Sequence, residues 1–241
     1  MTDRPLVVIT GASSGIGAAA ARAFSAAGHP LLLLARRRDP MLALGLPRCH
    51  AVAADVTDTA AVAAAMRAAE AEFGPTDLLV NNAGMMALAP VVDQDPADIQ
   101  RMFDLNCVAP MKLAQLVLPA MRARRGGTIM NVGSIAGATL YGDHTVYCGT
   151  KFAVHAMTEG LRRENAAAGV RVLLVSPGMV DTDLLSSTGE GEVLDGYLSY
   201  KRSIGGGLVP EDIAAAMVGA YQLPQHLSHR QVVVAPTAQD A

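Results

Sequence analysis

The chain has 241 residues with 19 Lys and Arg against 22 Asp and Glu, a formal net charge of -3. That balance lacks the basic footprint that holds a polyanion, so nucleic-acid binding is not expected. The three cysteines, Cys49, Cys107 and Cys148, are odd in number and too widely spaced for a metal knuckle, which predicts reduced thiols in a cytoplasmic protein with no bound metal.

From the N-terminus, MTDRPLVVIT lacks the long apolar core of a signal peptide, and no later apolar run approaches the roughly 18 residues that span a bilayer. Short apolar runs rich in β-formers occur at Leu6–Thr10, Leu31–Ala35, His50–Asp55, Asp77–Asn81, Thr128–Gly133, Val170–Ser176 and Gln231–Ala235. Helical patterns fall between them, at about Gly15–Ala27, Thr59–Phe73, Pro96–Arg124, Val146–Ala168 and Pro210–Leu223. Most of the strand runs are continuously apolar, as in strands covered on both faces. Strict alternation of strand and helix predicts an α/β fold, a doubly wound, seven-stranded parallel sheet flanked by helices. No linker or repeat divides the chain, so a single domain over residues 1–241 is expected. Arg122, Arg124 and Arg125 sit at a helix end, where cations suit the negative end of the dipole. The Pro96–Arg124 and Val146–Ala168 helices are apolar on more than one face. A helix packed only on its own sheet needs one stripe, so a symmetric homodimer or homotetramer is expected.

The first strand runs directly into Gly11-Ala12-Ser13-Ser14-Gly15-Ile16-Gly17 and then a helix. Glycines allow a tight turn and close backbone approach, and the helix start offers free N–H groups to a pyrophosphate. The spacing is G-x-x-x-G-x-G, and with its flanking strand and helix it resembles the cofactor loop of the short-chain dehydrogenase/reductase family. The resemblance extends from about Pro5 to Thr182 through several motifs in the family's order. It implies a single-domain Rossmann fold with a nicotinamide cofactor held at Gly11, Ser13, Ser14, Gly15, Ile16 and Gly17. Strand two ends in Arg36 and Arg37, where an acid would favour NAD(H). Guanidinium groups suit a 2′-phosphate instead, so NADP(H) is expected over NAD(H). The resemblance places Asp55, with Val56, at the adenine edge. Asn81-Asn82-Ala83-Gly84 matches the family's NNAG, which implies that Asn81 contacts the adenosine side, with Ala83 and Gly84 beside the cofactor.

Tyr147 and Lys151 are four residues apart and share one helix face. A free tyrosine titrates near pH 10, and a neighbouring ammonium favours its phenolate, bringing it towards acid/base work. The pair matches the family's Y-x-x-x-K, which implies that Tyr147 is the general acid/base and that Lys151 also bonds the nicotinamide ribose. Ser134, just after strand five, would hold the substrate oxygen. Asn106 is a poor residue for a helix interior; the resemblance gives it a water-mediated link to the lysine. Pro177-Gly178-Met179-Val180-Asp181-Thr182 matches P-G-x-V-x-T, placing Pro177, Gly178, Val180 and Thr182 against the nicotinamide. Cys148 points about 100° from Tyr147 on an ideal helix and is expected to pack.

By position, the substrate pocket draws on Met85, Ala136, Tyr141, Met179 and Leu184, with Met86, Leu140 and Tyr197 nearby. No cation is expected among them, which disfavours a strongly anionic substrate. Asp143 and His144 either line the entrance or lie on the surface. Asp183–Gly207 is rich in Gly and Ser and is expected to form a substrate lid. The function expected is hydride transfer between nicotinamide and a small-molecule carbonyl or secondary alcohol. The other readings are a non-catalytic cofactor-binding regulator on the same fold and a sugar-nucleotide epimerase or dehydratase, for which 241 residues leave little room.

Overall fold

The structure, a computed structural model, describes residues 4–240. Strands β1 (Leu6–Thr10), β2 (Leu31–Ala35), β3 (Cys49–Ala53), β4 (Thr76–Asn81), β5 (Thr128–Val132), β6 (Arg171–Pro177) and β7 (Gln231–Val234) form one sheet. Their order is β3-β2-β1-β4-β5-β6-β7, and every neighbouring pair is parallel. The helices are α1 (Gly15–Ala26), α2 (Asp39–Leu42), α3 (Thr59–Phe73), α4 (Pro96–Phe103), α5 (Ala109–Ala123), α6 (Thr145–Asn165), α7 (Glu192–Ser203) and α8 (Pro210–Tyr221).

The continuous apolar strands are explained by packing on both faces. Val7, Ile9, Leu31 and Leu33 join Phe24 of α1 and Ile213 and Met217 of α8 in one core. Leu6, Val8, Leu32 and Leu34 join Val62 and Met66 of α3 and Leu113 and Val117 of α5 in another. Successive strand residues alternate between the two layers, as the pleat requires. Asp58 caps α3 by accepting from the amides of Ala60 and Ala61 at 3.1 and 3.0 Å. Asp95 caps α4 through the Ala97 amide at 2.8 Å, with Pro96 in the first turn. At the amino end of the sheet the buried Arg171 donates to Thr128 Oγ1 at 3.0 Å and to the carbonyls of Leu223 and Tyr221 at 2.9 and 2.8 Å. A buried guanidinium requires such partners.

The single helix expected over Pro96–Arg124 is interrupted. Residues Asp104–Val108 form a π turn between α4 and α5. Pro110 has no N–H to return to the carbonyl of residue 106, four positions earlier, so the α-helical ladder cannot close there. The segment expected to be a lid is also more ordered than its composition implies: Asp183–Ser187 is a 3-10 turn, and α7 follows it. Among the described residues no helix is long and apolar enough to cross a membrane.

From β1 the chain winds outward to β2 and β3, then returns to the other side of β1 as β4. The carboxyl ends of β1 and β4 therefore part at a switch point, where open sheets leave a crevice. The seam below it is tightly stitched. Thr10 Oγ1 donates to the Val80 carbonyl at 3.2 Å and accepts from the amides of Asn82 and Ala83 at 2.9 and 3.0 Å. Asn82 Nδ2 donates to the Thr10 carbonyl at 2.9 Å. A Cβ on Gly17 would lie 2.2 Å from the Gly11 carbonyl oxygen and 2.6 Å from Asn82 Nδ2. Only a residue without a side chain fits.

Two outcomes are expected in urea and thermal denaturation. Leu33→Ala, at a fully buried site, lowers the unfolding free energy by about 2–5 kcal/mol, whereas Leu140→Ala, at a site 74% exposed, changes it by no more than about 0.5 kcal/mol. Gly17→Ala lowers the thermal midpoint although the seam keeps all its hydrogen-bonding groups; an unchanged midpoint would show that the seam can relax.

Candidate active site at the carboxyl edge of the sheet

The crevice opens into a cleft of about 1920 Å³ that runs along the carboxyl edge of the sheet. At its centre Gly11 and Gly15 have φ of +67° and +50°, the left-handed region that suits glycine. A Cβ on Gly15 would meet Thr182 at 3.0 Å. Ser14, at the start of α1, is extended and makes no side-chain cap, so the first N–H groups of a twelve-residue helix face the cleft. Gly11, Ser13, Ser14, Gly15 and Ile16 line this cradle, which suits a pyrophosphate. Gly17 lies beneath it and makes the close approach possible.

At one end the cleft is lined by Arg36, Arg37, Asp55 and Val56. Arg38, the third arginine of the run, donates Nε to the Ala51 carbonyl at 3.0 Å and is a structural group. The Asp55 carboxylate accepts from the amide and hydroxyl of Thr57 at 2.9 and 2.7 Å. Those bonds, with a smaller contribution from Arg36, hold it below the usual carboxylate range. Ala83 and Gly84 line the cleft, but Asn81 does not. Asn81 is 4% exposed and donates Nδ2 to Asn131 Oδ1 at 2.8 Å, joining β4 to β5. Its register partner is Asn131, so its side chain belongs to the sheet. The cleft-lining asparagine of this motif is Asn82.

At the other end, Ser134 Oγ accepts from the Ala136 amide at 3.1 Å and is hydrogen-bonded to the Tyr147 phenol. Tyr147 and Lys151 are 5% and 7% exposed on α6, with Lys151 Nζ 5.7 Å from the centre of the Tyr147 ring. Nζ donates to the Val132 carbonyl at 3.0 Å. The electrostatics differ from the sequence expectation. Burial pushes the Tyr147 phenol up, against the Ser134 hydrogen bond, and pushes Lys151 down to about 8. Both groups are driven towards their neutral forms because both are buried by the protein. The phenol is therefore protonated through the neutral range.

Asn106, in the π turn, does not reach Lys151 directly. Its Oδ1 accepts from the Met85 amide at 2.9 Å, and its Nδ2 donates to the Met85 carbonyl and Thr150 Oγ1 at 3.0 and 3.1 Å. It thus ties the pocket wall at Met85 to α6. Cys148 is fully buried, and burial pushes its thiol up, so it packs as expected. Pro177, Gly178, Val180 and Thr182 line the cleft beside this group.

Around Tyr147 the wall is formed by Met85, Met86, Ala136, Tyr141, Met179, Leu184 and Tyr197. Leu140 instead points to solvent. A cation does reach the cleft: Lys201 of α7 is ion-paired with Asp181. Two further contributors were not foreseen. His155 is hydrogen-bonded to the Ser134 carbonyl and lies 3.3 Å from Ser176 Oγ. It fills space that a Cβ on Gly137 would enter at 2.4 Å. Gln239 Oε1 accepts from the Met179 amide at 2.9 Å. Gly133 and Gly137, in the loop after β5 that also holds the lysine's partner Val132, with His155 one helical turn beyond Lys151, were a usable signal for His155; Gln239 had none, being 60 residues from its partner.

The family described as short chain dehydrogenase matches residues 5–193. An uncharacterized oxidoreductase of Staphylococcus aureus (strain N315) is 33% identical over 98% of both chains. Among solved structures, the closed form of a serine dehydrogenase complexed with NADP+ superposes with a TM-score of 0.90 at 29% identity, covering 98% of this chain and 96% of the other. An alcohol dehydrogenase from the archaeon Thermococcus sibiricus, complexed with 5-hydroxy-NADP, superposes with a TM-score of 0.85 at 25% identity over 99% of both chains. A parallel seven-stranded sheet, a glycine cradle at its switch point and a buried Tyr–Lys pair beside Ser134 accord with these likenesses: the chain is an oxidoreductase of the short-chain dehydrogenase family.

Proposed function

We propose that the chain is an NADP(H)-dependent carbonyl reductase, or in reverse a secondary-alcohol dehydrogenase, with Tyr147 as its general acid/base. The observation that carries this reading is the buried Tyr147 phenol, hydrogen-bonded to Ser134 beside Lys151, in the cleft that begins at the glycine cradle. The nicotinamide, when bound, supplies or takes the hydride. Tyr147, protonated at neutral pH, gives its proton to the carbonyl oxygen as that oxygen gains charge. Ser134 orients the same oxygen. Lys151, with its pKa at about 8, is mostly cationic at pH 7 and steadies the phenolate that remains. Asn106 acts on this centre by fixing Met85 and Thr150.

Pro177, Gly178, Val180 and Thr182 hold the nicotinamide end; Asp55, Val56, Ala83 and Gly84 hold the adenosine end. Arg36 and Arg37 bind the 2′-phosphate, which selects NADP(H) over NAD(H). The NADP+ and 5-hydroxy-NADP complexes of the two structural relatives support this cofactor. The chain works as a single domain, and residues 183–207, with α7 at their centre, close over a small-molecule substrate. It acts in the cytoplasm as a homodimer or homotetramer. Phe103, Val108 and Phe152 support assembly, since they lie 39%, 41% and 40% exposed on the α4–α5 segment and α6.

Tyr147→Phe lowers kcat for ketone reduction by a factor on the order of 10² to 10⁴ while the NADPH dissociation constant changes little. Absorbance at the NADPH band and a cofactor titration measure the two effects, and a variant that keeps most of its rate would overturn the assignment. Replacing Arg36 and Arg37 together with Ala weakens NADPH binding roughly tenfold to a hundredfold and leaves NADH binding nearly unaltered. Equal loss for both cofactors would remove the phosphate reading.

A further inference from the structure

His144 lies three residues before Tyr147, at the position that starts α6, and its carbonyl accepts from the Cys148 amide at 2.7 Å. Residues three apart share a helix face, and both line the cleft. The imidazole is held between two aromatic rings. The Tyr197 ring is nearly parallel to it at 6.1 Å between centres, and the Tyr141 ring is tilted at 5.7 Å.

The hydrogen-bonding state of this ring is determined by its neighbours. Nδ1 is within bonding distance of the Gly142 carbonyl, which can only accept, so Nδ1 carries the hydrogen. Burial lowers the pKa of His144, outweighing that carbonyl and Asp143, so the ring is neutral at pH 7. Nε2 therefore bears a lone pair. Among the described residues no group is hydrogen-bonded to it, and the two rings that hold the imidazole pack with Met85, Met86 and Leu184 in one apolar cluster. The chamber thus holds a donor at Tyr147 and a fixed acceptor on the same face of α6.

Resting on the carbonyl-reductase reading, we propose that His144 is a specificity-determining residue whose Nε2 accepts a hydrogen bond from a substrate hydroxyl next to the reacting carbonyl. The preferred substrates are then hydroxyketones and hydroxyaldehydes rather than plain ketones. A plain ketone would cover Nε2 without a partner, and sites built to bond a hydroxyl discriminate strongly against analogues without one.

The test compares hydroxyacetone with butanone, which differ by hydroxyl against methyl at one position. The wild-type kcat/KM with NADPH is expected to favour hydroxyacetone roughly tenfold or more. In His144→Phe, which keeps a ring against Tyr197, that ratio falls close to one. A wild-type ratio near one, or a preference that survives in His144→Phe, overturns the proposal. Calorimetric titration of the wild-type enzyme–NADPH complex with glycolamide and propionamide, which present the same contrast without reacting, gives a readout independent of turnover and of the variant's folding. Tighter glycolamide binding supports the proposal; equal or weaker binding overturns it. If neither ketone is reduced yet glycolamide binds more tightly, the reductase reading fails and the role of His144 stands. If both ketones are reduced equally well, the reverse holds.

Discussion

The structure depends on a steric exclusion at the point where β1 and β4 separate. The Gly11 carbonyl occupies the space where residue 17 would carry its Cβ, and the Asn82 amide closes the same gap from the other strand. This lets α1 begin directly above the end of β1, so its free N–H groups face the crevice instead of solvent. Thr10 makes the seam rigid by joining Val80, Asn82 and Ala83 through one hydroxyl. A larger residue at 17 would lift the helix from the sheet, and the anion cradle would lose its floor.

At the reacting end the governing effect is desolvation. Tyr147 and Lys151 sit close together, yet each is moved towards neutrality, because losing water costs each charged form more than the neighbouring groups return. This arrangement favours a proton donor over a standing phenolate. The surrounding groups serve mainly to hold positions. His155 supports the Ser134 loop from below, and Asn106 holds Met85 from the side.

Much of this was legible in the sequence. Most of the seven strands could be read because both faces of the central sheet are covered, so they appear as unbroken apolar runs; the edge strands β3 and β7 are partly exposed. The glycine loop, Ser134, Tyr147 and Lys151 could be read because their spacing and their place after strands one and five carry geometric meaning. What could not be read depended on register or on long-range contact. Asn81 and Asn82 are adjacent and identical, and only strand pairing shows that the first faces Asn131 and the second the cleft. Lys201 enters the cleft because α7 folds back towards Asp181. That helix does carry acids in its first turn and cations in its last, but the glycines on either side obscure the pattern. The direction of the Tyr147 shift depends on depth of burial, which no spacing reveals.

The π turn at Asp104–Val108 also changes how the apolar faces around it should be understood. One extra residue within a helical path rotates everything downstream by about 100° relative to an unbroken helix. On an unbroken helix Met102 and Leu113, eleven residues apart, would lie within about 20° of one another and face the same way. With the turn between them they serve different layers: Met102 packs with Met86, Ala136 and Tyr147 beside the site, while Leu113, Val117 and Met121 pack on the sheet. One helical path is thereby shared between two cores, and Phe103 and Val108, which flank the turn, stay exposed.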